Sequence, residues 1–151
     1  MPLINYFAYG SNLDRMQMQT RCKSSTFYTV ASLSDFELSF SHYSSGWGGG
    51  VADIRPKQNK IVWGAIYKIT DQDLEELDRY EGFPDIYIRN QFKVETTDST
   101  LETVFAYQLR VPKEFTPPST RYLDVLVRSA VELGFPNEYL AQLNSIQAMT
   151  G

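Results

Sequence analysis

Hydrophobic and polar positions alternate over short runs of this chain, with a few stretches of helical spacing between them. Leu3, Ile4, Tyr6, Phe7 and Tyr9 supply branched and aromatic residues that suit a pleated, half-buried surface, so the chain opens as a strand. Gly10 stops it: glycine tolerates positive φ and lets another group come close to the backbone. Ser11 and Asn12 are good helix N-caps, and Leu13, Asp14, Arg15 and Met16 then form a first turn with an acid well placed for the dipole. Residues 26–33 read as a second strand. Phe36, Leu38 and Phe40 alternate with Glu37, Ser39 and Ser41, the period of two that marks a sheet with one wet face. His42 to Gly50 reads as a loop with one large ring, Trp47, among glycines. It is no dinucleotide fingerprint, because Val51 stands where the last glycine belongs.

Residues 51–55 form a short strand, 56–60 a turn, and 61–69 a longer, mostly buried strand. Thr70 and Asp73 make a capping box, which predicts a helix from Asp71 to about Glu81, stopped by Gly82 and Pro84. Residues 87–96 are a strand, Asp98, Ser99 and Thr100 a turn, and 102–110 the hairpin partner. Pro112, Pro117 and Pro118 mark a loop. Ser119 caps a helix through Leu133 that ends at Gly134, and Pro136 starts a last short helix carrying Leu140, Leu143 and Ile146. There is no internal repeat, linker or low-complexity tract. This order predicts one α+β domain over residues 1–151, built on a small closed or nearly closed barrel.

Composition sharpens that picture in three ways. With 151 residues the chain is long enough for one domain with a real core. Its aromatic fraction is 14%, and ten Tyr against two Trp point to a cavity lined by rings that keep a polar tip. A formal net charge of −4 without a Lys/Arg cluster argues against a nucleic-acid or membrane-surface partner, and no apolar run reaches the length of a membrane span. One cysteine, Cys22, cannot form an internal disulfide, which fits a reducing cytoplasm. One Cys and one His (His42) cannot build a Cys/His metal site, so neither metal nor other cofactor is expected.

Two places carry candidate chemistry. The backbone N–H groups from Gly10 to Leu13 would point outward at a helix start, a cradle for a carboxylate or an oxyanion; an ordinary βα turn has the same local residues. Glu81 is the other. On the predicted helix it shares the inward stripe of Leu74 and Leu77, while Glu75, Glu76, Asp78 and Arg79 take polar positions. Burial and the negative helix end would both raise its pKa, suiting a general acid/base near neutrality. A frayed last turn would instead leave it in water. Ser11 lacks a hydrolase elbow, and nothing in the sequence activates Cys22. Tyr87, after the Glu81-Gly82-Phe83-Pro84 turn, and Tyr122, at a helix start, are placed to reach the same cavity.

These residues carry a family resemblance. Phe7-Ala8-Tyr9-Gly10-Ser11-Asn12-Leu13 resembles the Y-G-S-N loop of the γ-glutamylcyclotransferases, the AIG2-like family. The likeness continues over Gly46-Trp47-Gly48-Gly49-Gly50-Val51-Ala52 and Val62-Trp63-Gly64-Ala65-Ile66-Tyr67. It runs on through Leu77-Asp78-Arg79-Tyr80-Glu81-Gly82 and closes at Pro117-Pro118-Ser119-Thr120-Arg121-Tyr122. The pieces stand in family order. Their form is nearer the enzymes acting on γ-glutamyl amino acids than the γ-glutamylamine or glutathione-specific branches. The resemblance implies a small mixed, mostly antiparallel β-barrel with flanking helices, a monomer or homodimer. It also implies a metal-free cyclisation of a small γ-glutamyl substrate to 5-oxoproline, with Glu81 catalytic. Tyr9, Gly10, Ser11, Asn12 and Leu13 would form the substrate loop, and Tyr87 and Tyr122 the cavity wall. A binding or scaffold protein without turnover, or a sister enzyme on another γ-glutamyl amide, shares these features.

Overall fold

Two long antiparallel strands, β2 (Thr26–Ser44) and β3 (Gly49–Ile69), carry the fold. In this computed structural model, which describes residues 2–148, their ladder runs from Thr26 opposite Lys68 to Ser44 opposite Gly49. The expected domain bounds of 1–151 pass these described residues at both ends. β1 (Ile4–Ala8) pairs antiparallel with β3, and β4 (Tyr87–Thr96) pairs with both β2 and β5 (Leu101–Leu109). One parallel step, Tyr6 beside Phe105, joins β1 to β5 and closes the barrel in the order β1-β3-β2-β4-β5. The architecture is the expected mixed, mostly antiparallel barrel, flanked by α1 (Arg15–Arg21), α2 (Asp71–Glu81), α3 (Thr120–Leu133) and α4 (Asn137–Asn144). None of these helices is long and apolar enough to cross a membrane.

Several local expectations shift. Residues 26–33 and 36–41 belong to one strand, because the ladder absorbs Asp35 at φ 64° as an irregularity. There the pairing steps from Ser34 opposite Ile61 to Phe36 opposite Pro56. Residues 57–60 stand out from it, with Asn59 at φ 69° and its N–H donating to Asp35 Oδ1 at 3.0 Å. The turn expected at 56–60 is therefore a bulged excursion inside β3. The loop expected from His42 to Gly50 is mostly strand as well: only residues 45–48 turn. Its glycines serve close approach. Gly50 N–H donates to the Pro117 carbonyl at 2.9 Å, Thr116 N–H donates to Phe40 O at 2.6 Å, and a Cβ on Gly49 would meet Ser119 N at 2.5 Å.

The first helix also starts later than its caps suggested. Ser11–Leu13 is a single 3-10 turn, and Asp14 caps α1, accepting from Met16 N–H at 3.1 Å. The other caps are as read. Thr70 and Asp73 form the reciprocal box on α2, and Ser119 accepts from Tyr122 N–H at 3.1 Å on α3. At the end of α2, Gly82 takes φ 68°, and Phe83 N–H returns to Asp78 O at 2.9 Å. That left-handed cap fixes where Glu81, the last helical residue, stands. Phe7, Met18, Ile54, Val62, Ile66, Ile69 and Leu77 are fully buried in the core that the strands and helices share.

Candidate active site

One end of the barrel opens into a cavity of about 670 Å³ where elements distant in sequence converge. Tyr6, Tyr9, Gly10, Ser11 and Asn12 come from β1 and the turn after it, Ala52 from β3, and Glu81 from the end of α2. Tyr87, Tyr107 and Tyr122 complete the wall from β4, β5 and α3. Tyr9, Gly10, Ser11, Asn12, Glu81, Tyr87 and Tyr122, singled out from sequence, therefore line one space. Leu13 does not: its side chain is buried in the core, and its N–H is spent on the Gly10 carbonyl at 3.0 Å.

The loop at Gly10 differs from its expected form. Gly10 sits at φ −111°, so the reason for glycine here is room. A Cβ would lie 3.0 Å from the Tyr122 hydroxyl and 3.4 Å from Ala52 Cβ. The Tyr122 oxygen accepts from Ala52 N–H at 3.0 Å and is also bonded by the Ser11 N–H. With the amides of Leu13 and Ser11 so engaged, those of Gly10 and Asn12 have no partner among the described residues. The expected four-amide cradle thus narrows to two. Asn12 works through its side chain too: Nδ2 donates to Tyr6 Oη at 3.0 Å. Its Oδ1 accepts from Gln17 Nε2 at 3.1 Å and Arg21 Nη1 at 3.0 Å.

Glu81 closes the helix stripe begun by Leu74 and the fully buried Leu77. The residue opens on the cavity, but its carboxyl has no hydrogen bond or ion pair among the described residues. Burial pushes it up to about 7, opposed by the positive charge of Arg21. Neighbouring acids are tied. Asp78 accepts from Tyr107 Oη at 2.7 Å and pairs with Arg89 at 3.5 Å. Asp53 accepts from Leu109 N–H at 3.0 Å and pairs with Arg55 at 3.3 Å. Burial, with Glu81 adding to it, drives the phenols of Tyr6, Tyr9, Tyr87, Tyr107 and Tyr122 above their ordinary range. These tyrosines therefore stay protonated at neutral pH and present O–H dipoles. Tyr9 donates to Tyr107 O at 2.6 Å and Tyr87 to Ala52 O at 3.2 Å, which fixes two of the rings.

Sequence reasoning missed Tyr6, Tyr107 and Arg21. The tyrosine excess announced a ring-lined cavity without naming its members. Arg21 belongs to no motif in the sequence, yet its guanidinium stacks over Tyr80 at 4.5 Å and the residue lines the cavity. Trp47, at the tip of the β2–β3 hairpin, sets its ring edge-on to Tyr122 at 5.1 Å. Arg121 holds that tip, stacked on Trp47 at 4.6 Å and donating to Gly46 O at 2.6 Å. Cys22 is buried and bonded to Asp73 O at 3.5 Å; burial pushes its thiol up to about 12, so it has no nucleophilic character. The described residues contain no His/Cys/Asp/Glu grouping able to hold a metal ion.

Comparison with known proteins places this arrangement. The AIG2-like family profile matches residues 61–143. A bovine (Bos taurus) γ-glutamylcyclotransferase is 38% identical over 94% of this chain and 78% of its own length. The human (Homo sapiens) γ-glutamylcyclotransferase is 36% identical over the same shares. A solved γ-glutamyl cyclotransferase superposes with a TM-score of 0.92 at 34% identity, over 97% of this chain and 89% of that one. The chain therefore belongs to the AIG2-like family of γ-glutamylcyclotransferases.

Proposed function

We propose that the protein is an enzyme that cyclises the γ-glutamyl group of γ-glutamyl amino acids to 5-oxoproline and releases the amino acid. The chemistry is intramolecular. The substrate's α-nitrogen attacks its own δ-carbonyl, a new C–N bond closes the five-membered ring, and the amide bond to the departing amino acid breaks. No water is consumed: the α-nitrogen passes from ammonium to ring amide and loses two protons, and the leaving nitrogen passes from amide to ammonium and gains two. The protein's tasks are to fold the substrate, move protons between the two nitrogens and stabilise the oxyanion. Once the α-ammonium has given up its first proton and the amine has attacked, Glu81 takes the second from the α-nitrogen and delivers it to the leaving nitrogen, so that the C–N bond breaks. The free amides of Gly10 and Asn12 and the tyrosine O–H groups supply the dipoles.

One observation carries this reading: the carboxyl of Glu81, unpaired in a ring-lined cavity, with its pKa raised to about 7. A group so poised both accepts and gives up a proton at neutral pH. The test uses the substrate's own nucleophile. Each of a panel of γ-glutamyl amino acids and their N-acetyl analogues is incubated with the protein, and the products are identified by mass. The free amines are expected to yield 5-oxoproline and the acetylated ones nothing, because an amide nitrogen does not attack usefully. Release of glutamate would show a hydrolase instead. No product from any compound would leave a binding protein.

A further inference from the structure

Arg21 is left over once the proton carrier, the amides and the tyrosine wall have been assigned. It sits at the C-terminal end of α1, half-buried, and is fixed twice: Nη1 donates to Asn12 Oδ1 at 3.0 Å, and the guanidinium plane lies on Tyr80 at 4.5 Å. Asn12 is itself buried and held by Tyr6 and Gln17, so the anchor is rigid. No carboxylate lies within ion-pairing distance of Arg21 among the described residues, and its remaining N–H groups have no hydrogen-bond partner there. Arg79, the other cation of the cavity, is spent on Glu76 at 2.9 Å and points to solvent. A half-buried guanidinium held in place, with N–H groups still free, fits a carboxylate, which it can bind through two parallel N–H···O bonds.

We propose that Arg21 binds the α-carboxylate of the substrate's γ-glutamyl group and so orients the α-amine toward the δ-carbonyl. The inference rests on the cyclotransferase reading of the same cavity. A γ-glutamyl amino acid has two carboxylates, and geometry chooses between them. The α-carboxylate shares its carbon with the α-ammonium, so it must lie beside whatever group faces that ammonium. Glu81 is the one acid among the residues lining the cavity, and Arg21 lines the same cavity, stacked on Tyr80, the residue directly before Glu81. Anion for ammonium and cation for carboxylate thus face one space from neighbouring positions, matching the zwitterionic end of the substrate. The leaving residue's carboxylate, several bonds away beyond the δ-carbonyl, then lies in another part of the cavity.

A substrate-by-variant cycle tests this assignment. The parent protein, Arg21→Gln and Arg21→Lys are each assayed with three compounds: a γ-glutamyl amino acid, the same compound with its α-carboxylate as a carboxamide, and the same compound with the leaving residue's carboxylate as a carboxamide. The α-carboxamide still has a free amine and cyclises to the amide of 5-oxoproline. Arg21→Gln is expected to lose about 10²-fold in kcat/KM on the unmodified substrate, chiefly through KM, and much less on the α-carboxamide. Arg21→Lys should recover part of the loss, because it keeps the charge without the fork. An equal loss on all three compounds would reduce Arg21 to a support for Asn12 and overturn the proposal. So would a loss that disappears only when the leaving carboxylate is masked. Absence of 5-oxoproline with the parent on every compound would instead remove the cyclotransferase reading, and this proposal with it. If Arg21→Gln does not fold, the Lys variant alone decides: a parent-like ratio between unmodified and α-carboxamide substrates would sink the assignment.

Discussion

At its N-terminal end, α2 carries Asp73; at its C-terminal end it carries Glu81, and the two acids are treated in opposite ways. Asp73 is 5% exposed and fully engaged, accepting from Thr70 N–H at 3.1 Å and Ser24 N–H at 3.4 Å. It also stands at the positive end of the helix dipole. Glu81 stands at the negative end, with no partner for its carboxyl and a pKa raised to about 7. One helix therefore uses a carboxylate at one end to hold itself in place and leaves another unsatisfied at the other end. An acid left without partners in a cavity that partly desolvates it is a cost to folding, and it persists where the cavity has a use for a mobile proton.

Replacing each acid separately tests that contrast. Glu81→Gln should lower kcat by about 10²–10⁴-fold, the usual contribution of a general acid/base, while thermal stability stays level or rises. A Gln variant with near-parental turnover would break the comparison at its functional end. Gly10→Ala comes next. Its Cβ would lie 3.0 Å from the Tyr122 hydroxyl, forcing that oxygen off Ala52 N–H, an overpacking cost of about 1–3 kcal/mol. Adding Tyr122→Phe removes the obstructing oxygen, so the pair should lose less stability than the sum of the two single variants. Strict additivity would show that the close approach does not matter. Asp73→Ala should cost about 0.5–2 kcal/mol of stability by denaturant titration through the lost cap, with kcat/KM on the folded protein almost unchanged. A large drop in turnover there would erase the distinction between the two helix ends.

The sequence made some of this legible and hid the rest for identifiable reasons. The capping box at Thr70 and Asp73, the leucine stripe and the Gly82 stop placed α2 to the residue, and with it the inward face on which Glu81 ends. These are local signals, read within one element. The Y-G-S-N stretch was legible as a turn, but its cap was misassigned. Asp14 competes with Ser11 and Asn12 for the same role, and the 3-10 turn that precedes α1 has no signature of its own. Of the two reasons the sequence offers for Gly10, positive φ does not apply and close approach does, but the group that approaches is Tyr122, far along the chain, which no local pattern names. The same holds for the glycines at 49 and 50, which admit the segment around Thr116 and Pro117 and so sit in strand, where composition suggested loop. Arg21 stayed hidden because its value lies in a contact with Asn12 that only folding creates. Long-range closeness is what composition and periodicity do not encode.

The smallest expected effect follows from the titration of Glu81 itself, and its sign separates an unsatisfied acid from a satisfied one. In the unfolded chain a glutamate titrates near its ordinary value of 4.5; in the folded protein this one is held up to about 7. Between those two values the native state keeps a proton that the unfolded state has already lost. Stability rises with pH only where the unfolded state binds more protons, so here Glu81 makes it fall. Its contribution is fully present below the unfolded value, declines as pH rises toward the folded value, and is level above it. Glu81→Gln lacks this titration. The difference in unfolding free energy between the parent and Glu81→Gln should therefore drift against the parent from about pH 4.5 to about pH 7 and then stop changing. The drift should be modest, because the residue opens on the cavity and solvent there screens its charge. Denaturant titrations of both proteins at a series of pH values measure it directly. A difference that is level over this range and drifts in the parent's favour as pH rises toward about 4.5 would mean a carboxylate stabilised by partners, as at the other end of the helix. Glu81 would then resemble Asp73, and the acid poised for proton transfer would have to be sought elsewhere in the cavity.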